Sequence, residues 1–129
     1  VFESPDHKPE GWEQPGFDDS NWDTFHPPLR WAPGHTGAVR TTFDVKDKSA
    51  YKRLQIRGNV YKQRNLEFYL NGHLIAKVNN VPRQGVVDFQ LTPFALKILK
   101  DGKNHLAVNA QHGKRFVNLS IRLEGVLKK

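Results

Sequence analysis

Short runs in which apolar and polar residues alternate fill the chain from Ala38 onward, and this period of two constrains the fold most strongly. Because successive side chains of a strand point to opposite faces, each run predicts a strand with one buried face, as with Leu74, Ala76 and Val78. Such one-sided strands need a second layer, so the pattern predicts an all-β antiparallel sandwich. The apolar positions of the seven runs lie within 39–45, 54–56, 66–70, 74–78, 87–91, 106–108 and 117–123.

Two local signals mark connections between these runs. Asn71 and Gly72 separate the third run from the fourth, and both tolerate the positive φ angles of a two-residue hairpin turn. Thr92 followed by Pro93 is typical of a helix N-cap and first helical position, so a helix of about two turns is expected there. The turn residues of 101–104 end that helix and return the chain to a strand.

Composition excludes several kinds of protein. The 129 residues suffice for one domain with its own core, and the absence of Cys removes disulfides, thiolate metal sites and cysteine nucleophiles. No apolar run approaches the roughly 20 residues that span a bilayer, so no membrane partner is expected. Because Met is absent altogether, we expect Val1–Lys129 to be a single domain excised from a larger multidomain protein.

Charge is distributed unevenly along the chain. Residues 1–47 hold nine of the 13 acidic and four of the 20 basic residues, which leaves −5 there and +12 on the rest. Residues 1–37 are also rich in Pro, Gly, Trp and Asp without apolar periodicity, so they are predicted to form an irregular N-terminal wrap over a sandwich body at 38–125. The alternative is that the basic body presents a face to an anionic partner.

Four motifs occur in the order known from one family of domains. They are FDDSNW at 17–22, VRTTF at 39–43, FYLNG at 68–72, and the segment from DFQLT at 88–92 to GKNHLAV at 102–108. Together, over residues 12–125, they resemble the sugar-binding domain of family 2 glycoside hydrolases and related carbohydrate-binding modules, which are galactose-binding-like jelly rolls. Val39 departs from the family pattern, which has an aromatic residue there. The resemblance implies a non-catalytic carbohydrate-binding domain of a bacterial enzyme that degrades glycans outside the cell or in the periplasm.

Several motif residues are expected to shape the domain. Asp18 or Asp19 can accept hydrogen bonds from backbone N–H groups two or three residues on, which tightens a turn that places Trp22 on the sandwich. Trp12 and Trp22 are predicted to pack rather than to bind ligand. Arg40 lies on the outward face of its strand, where a carboxylate of the acidic N-terminal segment can pair with it.

Sugar binding requires an aromatic surface and planar polar groups, which jelly rolls of this kind place on loops at one rim. The loops here are basic and rich in amides, which favours an acidic or amide-bearing glycan as the partner. The candidate ligand-binding residues are Trp31, His35, Tyr61, Arg64, Asn80, Arg83, His112 and Arg115.

Catalysis and metal binding have less support. Glycoside hydrolysis needs two carboxylates about 5–10 Å apart, and the body has four acidic residues, of which two project outward from strands and one lies in a turn. We therefore expect no catalytic residues in this domain. No two histidines have the spacing of zinc ligands. No cofactor is expected apart from a structural calcium ion, for which the candidate ligands are Asp18, Asp19 and Glu124.

Two other functions stay open. The domain can brace a neighbouring catalytic domain of the same chain without a ligand of its own, which would leave an exposed apolar patch on the isolated domain. Nucleic-acid or protein binding through the basic body is less favoured, because the basic residues are scattered along strands rather than clustered with aromatic residues.

Overall fold

The computed structural model describes residues 2–4, 10–20, 22–24, 29–31, 37–61, 65–79, 86–110 and 117–128. Within these ranges ten strands form two antiparallel sheets, which confirms the predicted all-β sandwich. No helix of the described part has the length and apolar character needed to cross a membrane. The strands are β1 (Phe2–Ser4), β2 (Asp23–Thr24), β3 (Leu29–Trp31), β4 (Gly37–Val45), β5 (Tyr51–Tyr61), β6 (Leu66–Leu70), β7 (His73–Val78), β8 (Val86–Gln90), β9 (Gly102–Ala110) and β10 (Val117–Leu127).

The first sheet has six strands in the order β2-β1-β4-β9-β6-β7, and the second has four in the order β3-β10-β5-β8. A single 3-10 turn at Lys48–Ala50 precedes β5, and helix α1 (Pro93–Ile98) joins β8 to β9. Each of the seven predicted runs lies in or at the end of one of the strands β4 to β10. The N-terminal segment was expected to be irregular, but it contributes β1, β2 and β3. These strands are two or three residues long, too short to show a period.

The hydrophobic core lies between the two sheets. Leu66, Phe68 and Leu70 point inward from β6 and are fully buried. The four-stranded sheet contributes Ile56 and Phe89, and the Phe89 ring meets that of Phe68 edge to face at 5.2 Å between centroids. Burial of each such side chain stabilises the fold by about 1.5–3 kcal/mol, so the alternating pattern provides most of the driving force for folding.

Both predicted connections are confirmed. Asn71 and Gly72 have φ angles of 49° and 88°, as a two-residue hairpin turn between β6 and β7 requires. Thr92 caps α1, because its side-chain oxygen accepts a hydrogen bond of 3.2 Å from the Ala95 N–H. The helix then places Ala95 and Leu99 in the core.

Strand β7 differs from the prediction. Leu74, Ala76 and Val78 were expected to share the buried face. Ala76 and Val78 do pack against the core, but Leu74 is 41% exposed and Ile75 packs there in its place. The pairing between β6 and β7 shifts by one residue, so a β-bulge interrupts the alternation. A bulge depends on the partner strand, which is why the period within β7 did not reveal it.

A second, smaller cluster lies on the outer face of the six-stranded sheet, the face opposite the core. Residues 10–20 and 22, here called the covering segment, lie over this face. Trp12 is buried among Ala38 and Ala107, and Trp22 and Tyr69 pack against the same cluster. The prediction that both tryptophans pack is therefore confirmed.

Candidate functional site

Arg40 of β4 holds the covering segment on the outer face. Its side chain is only 6% exposed, although it points away from the core. Nε donates to Asp19 Oδ2 at 2.8 Å, and Nη1 donates to the carbonyls of Trp12 and Gln14, the latter at 2.8 Å. The guanidinium carbon also lies 5.3 Å from the centroid of the Phe17 ring. The predicted pairing of Arg40 with an N-terminal carboxylate is confirmed, and backbone carbonyls complete its surroundings.

The turn after Phe17 positions these partners. Asp18 Oδ1 accepts a hydrogen bond of 3.0 Å from the Ser20 N–H, and hydrogen bonding by Ser20 lowers the pKa of the Asp18 carboxyl. The Trp22 N–H donates to the Asp19 carbonyl at 2.9 Å. The Phe17 and Trp22 rings then meet edge to face at 5.5 Å between centroids. This is the turn that the FDDSNW motif predicts.

An open cleft of about 340 Å³ lies between the covering segment and the outer face. We call it the outer cleft. Its volume is at the lower end of the range of small-molecule sites. Thr42 of β4 and His105 of β9 are direct partners in the sheet register, so their side chains lie side by side on its floor. The lining is Glu13, Pro15, Phe17 and Asp19 of the covering segment, 40–42 of β4, and Lys103 with 105–107 of β9.

The electrostatic potential at His105 is positive. Partial burial lowers the pKa of His105, and the charges of Lys103, Arg40 and Lys100 lower it further, while Asp19 acts in the opposite direction. The imidazole is therefore neutral at pH 7, where it can both donate and accept a hydrogen bond. The outer cleft thus places a neutral imidazole among nearby cations, although the charged residues of its lining balance, with Glu13 and Asp19 against Arg40 and Lys103.

A polar cluster lies beside the outer cleft on the outer face of the six-stranded sheet. The buried Asn109 donates through Nδ2 to Glu67 Oε1 at 2.7 Å, and Lys77 Nζ lies 3.8 Å from Glu67 Oε2. Burial and the Glu67 carboxylate raise the pKa of the Tyr69 hydroxyl. The Tyr69 ring meets Trp12 edge to face at 5.7 Å, so this cluster fixes the floor beneath the covering segment.

The structure describes only part of the predicted rim. The β-sheet register pairs Val117 with Trp31 and Asn118 with Tyr61, so these two candidates flank the first residues of β10. The backbone thus brings Trp31 and Tyr61 to one end of the four-stranded sheet. The other predicted residues lie outside the described residues, and their role in binding stays a prediction: His35, Arg64, Asn80, Arg83, His112 and Arg115.

The three calcium candidates are not brought together. Asp18 caps its own turn and Asp19 pairs with Arg40, both over the six-stranded sheet. Glu124 lies on the four-stranded sheet, where its Oε2 accepts from Arg57 at 3.2 Å. Among the residues that the structure describes, no group of three or more His, Asp or Glu is placed to hold a metal ion. The geometry therefore does not support a calcium site built from these residues.

The acidic residues of the body also have structural partners. Asp88 and Glu124 both pair with Arg57, at 3.3 and 3.2 Å, and Asp101 accepts from the Lys48 N–H at 2.7 Å. Glu67 is held by Asn109, as described above. Each of these carboxylates thus serves to join neighbouring strands or turns.

Sequence reasoning missed the outer cleft. Thr42, Lys103 and His105 are polar positions of alternating strands, where such residues are ordinary. Only the pairing of β4 with β9, two strands far apart in sequence, makes Thr42 and His105 neighbours. The available signal was the FDDSNW motif, which predicts that an acidic turn covers Arg40.

Comparison with known proteins shows the fold. No protein-family model matches the chain, and no curated protein does. A family 2 glycosyl hydrolase from Bacteroides cellulosilyticus matches with a TM-score of 0.68 and 17% identity, over 92% of this chain and 19% of that one. The β-glucuronidase of Bacteroides uniformis matches at 0.63 and 20% identity, over 89% and 16%. A β-glycosidase from Bacteroides vulgatus matches at 0.60 and 22% identity, over 90% and 18%.

The chain therefore has the fold of a domain found within family 2 glycoside hydrolases. It spans less than a fifth of the length of each of these three enzymes. At identities of 17–22%, the likeness shows the fold alone.

Proposed function

We propose that this chain is a non-catalytic, carbohydrate-binding accessory domain of a glycan-degrading enzyme. The observation that carries the proposal is the fold likeness, which takes in about nine-tenths of this chain but less than a fifth of each family 2 enzyme. Four motifs of a galactose-binding-like jelly roll support it independently. The parent enzyme would be bacterial and would act outside the cell or in the periplasm, and its other domains would supply the catalytic carboxylates.

The outer cleft offers suitable chemistry for a sugar. Thr42 and His105 provide a hydroxyl and an imidazole side by side, which is the arrangement needed to bind neighbouring sugar hydroxyls. Phe17 adds an aromatic wall.

Affinity electrophoresis tests the proposal. The 129-residue chain is run at low salt through gels that contain single polysaccharides, both neutral and acidic. We expect retardation in at least one gel. Uniform mobility in all gels would contradict carbohydrate binding.

Single substitutions separate the two surfaces. If the outer cleft binds the glycan, Thr42→Val reduces retardation; if the rim binds it, Trp31→Ala and Arg115→Ala do so. Lys52→Gln, an exposed change on β5 away from the outer cleft, serves as the control and should not alter mobility beyond the effect of its charge in a sugar-free gel.

A second candidate function is to brace a neighbouring catalytic domain of the same chain. The observation that favours it is the exposure of apolar side chains along one edge: Leu74 on β7 is 41% exposed and Phe94 on α1 is 54% exposed. The Phe94 ring meets that of His73 on β7 edge to face, at 6.2 Å between centroids. Such exposed side chains are typical of surfaces that another domain covers.

Mixing experiments test the bracing function. The chain and the rest of its parent protein are expressed separately and combined in analytical ultracentrifugation. If the edge braces a neighbour, the two parts associate and Phe94→Ser weakens the association without lowering the melting temperature of the isolated chain. A lack of association between the unsubstituted parts would rule this function out.

A further inference from the structure

Side chains that can donate hydrogen bonds lie in a row on the floor of the outer cleft. Lys103 and His105 are two residues apart on β9, so their side chains share the outer face. Thr42 lies directly opposite His105 on β4. These three side chains offer an ammonium, an imidazole and a hydroxyl to one small region of the floor.

The carboxylates near this row form no ion pair with Lys103 within the described part of the chain. Asp19 is engaged by Arg40 at 2.8 Å, and Glu13 of the covering segment also lines the cleft but is not among the charges that act on His105. Asp44 is the register partner of Lys103, but the two form no ion pair within 4.0 Å among the described residues. The ammonium of Lys103 is exposed and has no protein acceptor in the part of the chain that the structure describes.

A negative group suits this region better than a neutral one. The charges that act on His105 are three cations, Lys103, Arg40 and Lys100, against the single carboxylate of Asp19. An anion over the floor would accept hydrogen bonds from Lys103, His105 and Thr42, and such charge-assisted bonds are roughly twice as strong as neutral ones. The body of the chain adds a long-range attraction, because residues 48–129 carry a formal charge of +12.

The size and lining of the outer cleft indicate what carries the negative charge. A volume of about 340 Å³ admits one sugar ring, and Phe17 supplies an apolar wall on the side of the covering segment. The donor row lies across the cleft from that wall. A pyranose with an acidic substituent would thus contact Phe17 with its ring while its acidic group meets Lys103 and His105.

We propose that the outer cleft binds the carboxylate-bearing ring of a uronic acid within a glycan. The assignment rests on the proposed carbohydrate-binding function and names its ligand class. The carboxylate lies over Thr42 and His105 and pairs with Lys103. Because the interaction is electrostatic and solvent-accessible, it weakens as salt is raised.

Isothermal titration calorimetry with matched sugars tests the proposal. The probes are the methyl glycosides of glucuronic, galacturonic and mannuronic acid, each paired with its own methyl ester, which keeps the ring and removes the charge. We expect the acid of at least one pair to bind the 129-residue chain about tenfold more tightly than its ester at low salt.

Variants locate the effect. Lys103→Gln should weaken binding of the acid about fivefold and leave the ester unchanged, and His105→Gln should weaken the acid as well. Lys97→Gln removes the same charge from the exposed side of α1 and is the matched control, with no expected change in either ligand. Thermal melting of each variant checks that it remains folded.

Three outcomes would overturn the proposal. Equal affinity for acid and ester would refute the ligand class while leaving carbohydrate binding intact. Acid-selective binding that Lys103→Gln and Lys97→Gln affect equally would refute the outer cleft as its site. A failure of every acid and ester to bind, together with uniform mobility in the polysaccharide gels, would refute the carbohydrate-binding function itself.

Discussion

At the scale of single residues, Arg40 shows how one charged side chain organises a surface. Its guanidinium is buried under the covering segment and is satisfied by the Asp19 carboxylate and by backbone carbonyls. A buried cation is stable only when acceptors surround it, so the position of Arg40 requires that the acidic segment fold over it. The outer cleft lies beside the contact between Arg40 and Asp19, between the covering segment and strand β9.

Replacement of Asp19 by Asn tests this contact. The substitution preserves shape but removes the counter-charge of Arg40, so we expect a loss of about 1–3 kcal/mol in the free energy of unfolding, less than for a fully buried pair because Asp19 is partly exposed. Urea unfolding followed by tryptophan fluorescence measures it. Asp18→Asn, at the exposed neighbouring carboxylate, should cost less than Asp19→Asn. Equal losses for the two variants would contradict the role of Arg40.

His105 gives a pH dependence with a defined sign. Burial and the cations Lys103, Arg40 and Lys100 keep its pKa below the ordinary value of 6.5 in the folded state, against the smaller opposing effect of Asp19. The unfolded state then binds more protons than the folded state as pH falls below about 6.5, so stability decreases in that range and is fully present above it.

Comparison with His105→Gln isolates this effect from the other five histidines. We expect the free energy of unfolding of the unsubstituted chain to fall more steeply between pH 7 and pH 5 than that of the variant. Urea unfolding at several pH values measures the difference. Parallel profiles would show that His105 has the same pKa in both states.

At the scale of elements, a pair of asparagines joins three parts of the fold. Asn104, which has no exposed surface, accepts at Oδ1 from Asn71 Nδ2 and the Lys100 N–H, both at 2.9 Å. Its Nδ2 donates to the carbonyls of Lys100 and Gly102. Asn71 Oδ1 in turn accepts from the His105 N–H at 2.9 Å. The β6–β7 hairpin, the end of α1 and the start of β9 are thus tied together.

Asn104→Ala should break this junction. The change leaves several buried polar groups without partners, so we expect a loss of about 2–4 kcal/mol in the free energy of unfolding and faster hydrogen exchange at the His105 amide. Asn79→Ala, at an exposed asparagine after β7, is the control and should change stability by less than about 0.5 kcal/mol. An equally small effect of Asn104→Ala would contradict the network.

The elements differ in how far the sequence predicts them. Strands β4 to β10 and helix α1 carry enough local signal, since alternation and capping are properties of contiguous residues. Strands β1 to β3 are held by pairing with distant partners, and the bulge that exposes Leu74 arises from the shifted pairing of β6 with β7. Such features depend on contacts that the local pattern does not contain.

At the scale of the whole molecule, the sandwich has a core between its sheets and a second cluster under the covering segment. The pairing of Arg40 with an N-terminal carboxylate could be predicted, because charge is segregated along the chain. The outer cleft could not be predicted, because it needs both the pairing of β4 with β9 and the path of the covering segment over them. The predicted ligand-binding rim consists mainly of loop residues. The alternating pattern predicts the strands but not the conformations of the loops between them.

Removal of residues 1–22 tests the importance of the covering segment. The truncation would expose Ala38, Ala107 and Tyr69 and leave the Arg40 guanidinium without its acceptors. We expect the truncated chain to bind the dye ANS and to melt at a lower temperature than the full chain. A truncated chain with unchanged melting temperature and no dye binding would show that the segment contributes little to the fold.

Glycan binding in the outer cleft can be observed residue by residue in a ¹⁵N–¹H NMR titration of the 129-residue chain. The ligand is an oligosaccharide of the polysaccharide that retards the chain most. If the glycan binds there, we expect the largest amide shifts at Thr42, at His105 and within residues 13–19, and we expect these shifts to saturate together. Shifts confined to β7 and α1, or no saturable shift at all, would contradict it.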